Sequence, residues 1–320
     1  MLPPRPSPSL FPPAYQPAPV AELDRLRSQP SPPAIGGCPY NETLYIVNLA
    51  SRSAATVTSS QLPNAYQCGN MGSANEATAD GTLAIVGAEE GGSCLYSSTS
   101  NAFALVNNNT IDYYGVALSG DGNIAAVSNG FSDPSGNALG SLARPAVQYP
   151  GTTVTPYPLN NYPMNTLKRP RLNTSGSLYY WAYPNWFEIF DVQKGTLRLR
   201  FSLSETIEDV ETPLAVDPSG SLVFLITGAG LTVVDLGTAP LSIGYLSSTT
   251  ATAGTTVQLR GSGFTAGITA ALGGQSASVT FTDANTLTLT VPTLSSGPHD
   301  LTLIRPDGAS YTFASAIVTQ

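Results

Sequence analysis

The chain has 320 residues, of which 42% are hydrophobic and only 11% charged. That is enough apolar material for two domains, with far fewer charges than a cytosolic helical protein carries. A net charge of −8 argues against binding to nucleic-acid phosphates, which needs clustered Lys and Arg. A single histidine, His299, and no Cys-x-x-Cys pair leave almost no room for a zinc centre or a histidine-activated nucleophile.

The first stretch, residues 1–36, is proline-dense and has no apolar signal-peptide core. It reads as a disordered arm, because proline removes amide donors and favours extended conformers. Cys38, Cys68 and Cys94 allow one disulfide with a leftover thiol, or three free thiols. No apolar run is long enough to span a bilayer.

Residues 37–238 carry an internal repeat. "EATADGTLAIVG", "GVALSGDGNIAAVS", "PRLNTSGSLYYWA" and "LAVDPSGSLVFLI" each place a polar turn ending in Gly between two apolar strands. The turn glycines Gly81, Gly122, Gly176 and Gly220 are 41, 54 and 44 residues apart. A tight hairpin needs positive φ there, and an Asp or Ser just before can bond the turn backbone. Downstream strands end at matched positions in Asn48, Asp191 and Asp235. The wide interval follows from a Pro/Gly/Asn-rich insertion. A four-stranded unit every 40–45 residues or so is the period of a propeller blade.

The densest aromatic stretch, "LYYWAYPNWFEIFDV" (178–192), falls on the second and third strands of one such unit, with "PNW" as the hairpin tip. Strands covered on both faces are apolar throughout, so most of these rings are expected to pack between blades. Trp181, Tyr183 and Trp186 are the candidate ligand-binding residues. Tyr183 and Trp186 flank the tip, where exposed rings stack on sugars or clamp a peptide.

These units resemble YVTN-type β-propeller repeats. Four full units follow the last two strands of another, so the expectation is a partial β-propeller of four to five blades. Its upstream blades would be missing from this chain or supplied by a partner. Kinship to the lactonase fold makes a lactonase or glycoside hydrolase the enzymatic alternative. The acidic stretches, Glu205, Glu208, Asp209 and Glu211, and Glu89 with Glu90, read better as solvated loops. Asn41, Asn108 and Asn173 sit in glycosylation triplets.

From residue 239 the charge nearly vanishes and period-two alternation takes over, as in "SVTFT" and "LTLTV", which predicts a β-sandwich. The succession "AGTTVQLRGSGF", "LGG", "TLTLTVP" and "SGPHDLTLIRPDG" is similar to an IPT/TIG domain, an immunoglobulin-like module. Gly261 and Gly263 are expected to permit a bulge before Phe264 plugs the core. His299 reads as structural, on a rim or strand edge.

The expected protein is thus all-β: an incomplete propeller plus a C-terminal immunoglobulin-like sandwich. Its expected role is a non-catalytic, extracellular or cell-surface binding scaffold. A protein or glycan would meet the propeller loop face, and the C-terminal module would act as spacer or second contact. No cofactor, metal site or catalytic residue is implied. A structural fragment without a ligand is the remaining alternative.

Overall fold

The computed structural model describes residues 43–48, 53–58, 74–78, 80–87, 93–100, 102–107, 116–127, 130–132, 138–141, 170–208 and 213–320. Every regular element among them is a strand. The first two, β1 (Thr43–Asn48) and β2 (Ser53–Thr58), form an antiparallel hairpin at the place where the repeat predicts the last two strands of a unit. Three four-stranded antiparallel sheets follow. They are β3 (Ala74–Ala77) to β6 (Ala102–Asn107) through β4 (Leu83–Gly87) and β5 (Ser93–Ser97); β7 (Val116–Leu118) to β10 (Ala138–Ser141) through β8 (Ala125–Val127) and β9 (Gly130–Ser132); and β11 (Arg171–Leu172) to β14 (Thr196–Ser202) through β12 (Leu178–Tyr183) and β13 (Trp186–Asp191). A three-stranded sheet, β15 (Leu214–Val216), β16 (Leu222–Thr227) and β17 (Gly230–Asp235), ends the series. We call these four sheets blades 2 to 5.

The turn between the first two strands is built the same way in every blade. Gly81, Gly122, Gly176 and Gly220 have φ of 69°, 74°, 67° and 79°, the left-handed region that only glycine enters without strain. Each donates its amide to the carbonyl three residues earlier, on Thr78, Ser119, Asn173 and Asp217. The side-chain oxygen of that same residue accepts the amide five positions on, from Leu83, Ile124, Leu178 and Leu222. Asp80 and Asp121 add the bonds expected of a turn aspartate, accepting from the Thr82 and Asn123 amides. Three hydrogen bonds hold the exposed Asp80 carboxylate at about 2, the largest contribution coming from the Thr78 hydroxyl.

The blades stack through apolar faces. Ile85 and Leu95 meet Leu118 and Ala125 between blades 2 and 3. Ala117, Ile124 and Ala126 of blade 3 meet Tyr179, Trp181, Tyr183 and Phe190 of blade 4. The opposite face of blade 4, with Tyr180, Phe187 and Ile189, packs on Val223, Leu225 and Val234 of blade 5. All six residues of β12 are therefore buried, which is why this strand lacks alternation. Tyr180 also donates its hydroxyl to the Gly220 carbonyl at 2.7 Å, tying blade 4 to the turn of blade 5.

The C-terminal module holds β18 (Ser242–Leu246), β19 (Thr250–Ala251), β20 (Thr256–Ser262), β21 (Thr269–Leu272), β22 (Gln275–Asp283), β23 (Thr286–Thr290), β24 (Gly297–Ile304) and β25 (Ser310–Thr319). β22 pairs with β21 through residues 275–277 and with β23 through residues 278–283. One strand thereby belongs to both layers of the sandwich, which closes over Leu259, Phe264, Leu287, Leu289 and Leu303. The bulge falls on the facing strand instead of at Gly261 and Gly263: the β18–β20 register shifts at Gly244, between the residues paired with Gly261 and Arg260. Gly261 serves a different need. A Cβ there would strike the Phe264 ring and the Ser242 carbonyl, so the glycine makes room for the plug.

Candidate functional site

Strand polarity divides the propeller into two faces. One carries the turns between first and second strands and between third and fourth strands. The other carries the hairpin tips between second and third strands, together with the connections between blades.

The C-terminal module sits on the first of these. Asp191 closes the turn after β13 by accepting the Lys194 amide at 2.8 Å. It also accepts from Arg198 at 3.3 Å, Ser242 Oγ at 2.8 Å and Tyr311 Oη at 3.1 Å. Fully buried, this carboxylate is the central bond of the junction. Burial and the neighbouring carboxylate push the Tyr311 phenol well above its ordinary range, so it stays a donor. The Lys194 ammonium lies 4.0 Å from the centroid of the Tyr311 ring, and Gln193 donates to the Gly244 carbonyl at 2.6 Å. Arg260 lies 3.7 Å from Asp121 in the blade 3 turn, and Asn285 donates to the Pro218 carbonyl in the blade 5 turn at 2.9 Å. The module thus touches the turns of three consecutive blades.

The opposite face carries the candidate residues. Trp181 is fully buried and Tyr183 is 4% exposed, so both rings belong to the core between blades 3 and 4. Trp186 is half-buried at the rim, stacked on Tyr183 with centroids 4.9 Å apart and planes 20° from parallel. Arg200 lies 5.9 Å from the Trp186 ring and is held there by an ion pair with the buried Glu188. Exposed Asn185 completes the tip. The accessible part is therefore the half-buried Trp186 indole with the Arg200 guanidinium over its ring, narrower than three aromatic residues.

The connection from β14 to β15 runs along the same face. Leu203 and Ile207 donate to the Asn185 and Pro184 carbonyls at 2.8 and 2.6 Å, and the Glu208 amide donates to the Ile226 carbonyl. Glu205 accepts from the Thr227 and Thr232 hydroxyls at 2.7 and 3.1 Å, and its neighbour Glu208 is exposed. Asp209, Glu211, Glu89, Glu90, Asn41, Asn108, Cys38 and Cys68 lie outside the described residues. Cys94 lies on β5. Asn173 is buried, with its amide bonded to Ser175 and Ser177, so in this fold its side chain builds the turn. His299 lies on β24, its Nε2 within hydrogen-bond distance of the Ser295 carbonyl (2.8 Å) and the Thr319 hydroxyl (3.0 Å). Among the described residues no three His, Cys, Asp or Glu side chains gather as a metal site would require.

The architecture is thus that of an incomplete propeller carrying an immunoglobulin-like sandwich. Residues 240–317 match the IPT/TIG domain family. No curated protein matches the chain. Among solved structures, it is similar to Kuenenia stuttgartiensis hydrazine synthase at 10% identity, over 79% of this chain and 68% of that one, with a TM-score of 0.37. It is also similar to a β-propeller domain from Myceliophteria thermophila at 11% identity, over 77% and 86%, again with a TM-score of 0.37. A third similarity, to an auxiliary nutrient binding protein from Bacteroides thetaiotaomicron, has 25% identity and a TM-score of 0.23. It covers 25% of this chain and 21% of that one, so the chain spans about a fifth of that protein's length.

Proposed function

We propose that this protein is a non-catalytic binding scaffold working outside the cytoplasm, with blades of YVTN type. Its hairpin-tip face receives a glycan or an extended peptide at Trp186 and Arg200. The observation that carries the reading is the seating of the C-terminal module across the turns of blades 3, 4 and 5. That seating directs recognition to the opposite rim. There a half-buried indole backed by Tyr183 offers a fixed stacking surface, and the Arg200 guanidinium adds a donor fork. A composition with 11% charged residues supports placement outside the cytoplasm.

The test is a glycan array and a peptide array probed with the full chain and with Trp186→Ala. Saturable binding that the substitution weakens by about tenfold or more supports the reading. Silence of both arrays, or binding indifferent to Trp186→Ala, overturns it.

A further inference from the structure

A cleft of about 440 Å³ opens where the propeller meets the C-terminal module. Small-ligand sites are commonly of this size and gather between folding units. Three parts of the chain wall the cleft. The outermost strand of blade 4, β14, contributes Arg198, Leu199 and Phe201. Asp235 and the connection from β17 to β18 form a second wall, and Arg305 at the turn between β24 and β25 a third.

The blade 4 wall is apolar and partly open. Phe201 lies against Phe187 with centroids 5.5 Å apart and planes 17° from parallel, yet remains 37% exposed. Leu199 packs beside it on the core between blades 4 and 5. An aromatic ring left accessible inside a cleft is a surface on which another flat apolar face can lie.

The polar groups narrow the chemistry. Among the described residues only Nη1 of Arg198 is hydrogen-bonded, to the Asp191 carboxylate at 3.3 Å, so Nε and Nη2 are left to donate. Asp235 accepts the Gly237 amide on Oδ1 at 2.7 Å, which leaves Oδ2 to accept. Arg305 is engaged by Asp307 and by the Ala239 and Gly263 carbonyls. Each guanidinium thus has its own carboxylate. An anion would find no uncompensated positive charge here and would meet Asp235, while a cation would meet two guanidiniums. A wholly apolar ligand would strip water from Arg198 and Asp235 and return no hydrogen bond. A neutral ring with one apolar face and several hydroxyls, each able to donate and accept, answers every group.

We infer that the cleft is a binding site for a neutral sugar unit, its ring laid on Phe201 and its hydroxyls shared between Arg198 and Asp235. Phe201 pairs with Phe187 on the blade 5 side of blade 4, whereas Trp186 faces blade 3. The site therefore stands independently of the function proposed above.

The test is saturation-transfer NMR on the full-length protein, titrated with the methyl glycosides of glucose, galactose, mannose and N-acetylglucosamine. Glucuronate and glucosamine serve as charged counterparts. Saturable binding of at least one neutral glycoside is expected, with the charged sugars weaker. Phe201→Ala should weaken that binding by about tenfold or more. Asp235→Ala, on an exposed turn, should weaken it too, and decides the matter should Phe201→Ala fail to fold. Trp186→Ala should leave it unchanged. Three results overturn the inference: no saturable binding of a neutral glycoside, glucuronate or glucosamine binding as tightly or more tightly, or binding that the folded cleft variants leave intact. In the last case, loss of binding in Trp186→Ala would move the sugar to the opposite side of blade 4.

Discussion

The junction between propeller and module is tested most directly at Gly244. A Cβ on this residue would press on the Ser175 carbonyl oxygen and lie 2.8 Å from the Ser177 amide nitrogen and 3.0 Å from its Cα. All three are backbone atoms of the blade 4 turn, so no side chain can swing away to relieve the clash. Gly244→Ala must therefore lift β18 off the turn by a large fraction of an ångström. That shift also stretches the 2.6 Å bond from Gln193 and the 2.8 Å bond between Ser242 and Asp191. Overpacking of this kind costs about 3 kcal/mol, which for a unit of this size lowers Tm by about 6–12 °C. Differential scanning calorimetry should show one coupled transition in the native chain and a separate, earlier transition in the variant. Gly228→Ala is the matched control: among the described residues its Cβ would meet only a Glu208 carboxylate oxygen, at 3.4 Å, on the other face. If Gly244→Ala melts like Gly228→Ala, the docking described here does not hold the two parts together.

Three further outcomes are expected. Gly81→Ala should cost about 1 kcal/mol, because its φ is left-handed and, among the described residues, no atom lies within 4 Å of the new methyl. Gly176→Ala should cost about 3 kcal/mol or more, since its methyl would also lie 2.5 Å from Ile124 Cβ; urea denaturation compares the two. At Asp217, burial alone would raise the carboxyl, but bonds from the Leu222 and Ser219 amides and the Ser219 hydroxyl hold it below its usual value. Its contribution is present above the unfolded carboxylate pKa and fades as pH falls through the folded one. Asp217→Ala should cost about 1–2 kcal/mol at neutral pH. Asp217→Asn should cost little, because Asn173 fills the same place in blade 4. Glu76 runs the other way. Burial raises its pKa despite Arg171 and the Leu118 amide, so its contribution to stability is lost as pH rises through the folded value. Glu76→Gln should gain on the native chain in thermal melts as pH rises above the ordinary carboxylate range, and the opposite slope would refute this.

The repeat was legible because the turn glycines are fixed by a backbone requirement and survive as a single letter. Other parts of the same turn were not. Thr78, Ser119, Asn173 and Asp217 do one job, accepting the amide five residues on, yet they appear as four different residues. Their shared property is a short side-chain oxygen, which alignment by identity does not register. The packing role of the rings at 178–192 followed from the loss of alternation in β12. Trp181, Tyr183 and Trp186 all face blade 3, and Trp186 reaches the rim because it opens β13, one strand farther along the sheet than the β12 that carries the other two. The seating of the module left no signal, because Asp191 meets Ser242 and Tyr311 across 51 and 120 residues with no period to mark the pairing.

One consequence of that seating concerns how the module is handled in isolation. The stretch from 240 to 317 folds around its own interior, but Ser242, Gly244 and Tyr311 form a shoulder shaped by another part of the same polypeptide. Excised at those limits, it would carry a bared phenol and a notch made for a neighbour, and would be judged stickier and weaker than it is at home. For this module the meaningful unit of expression includes the blade beneath it.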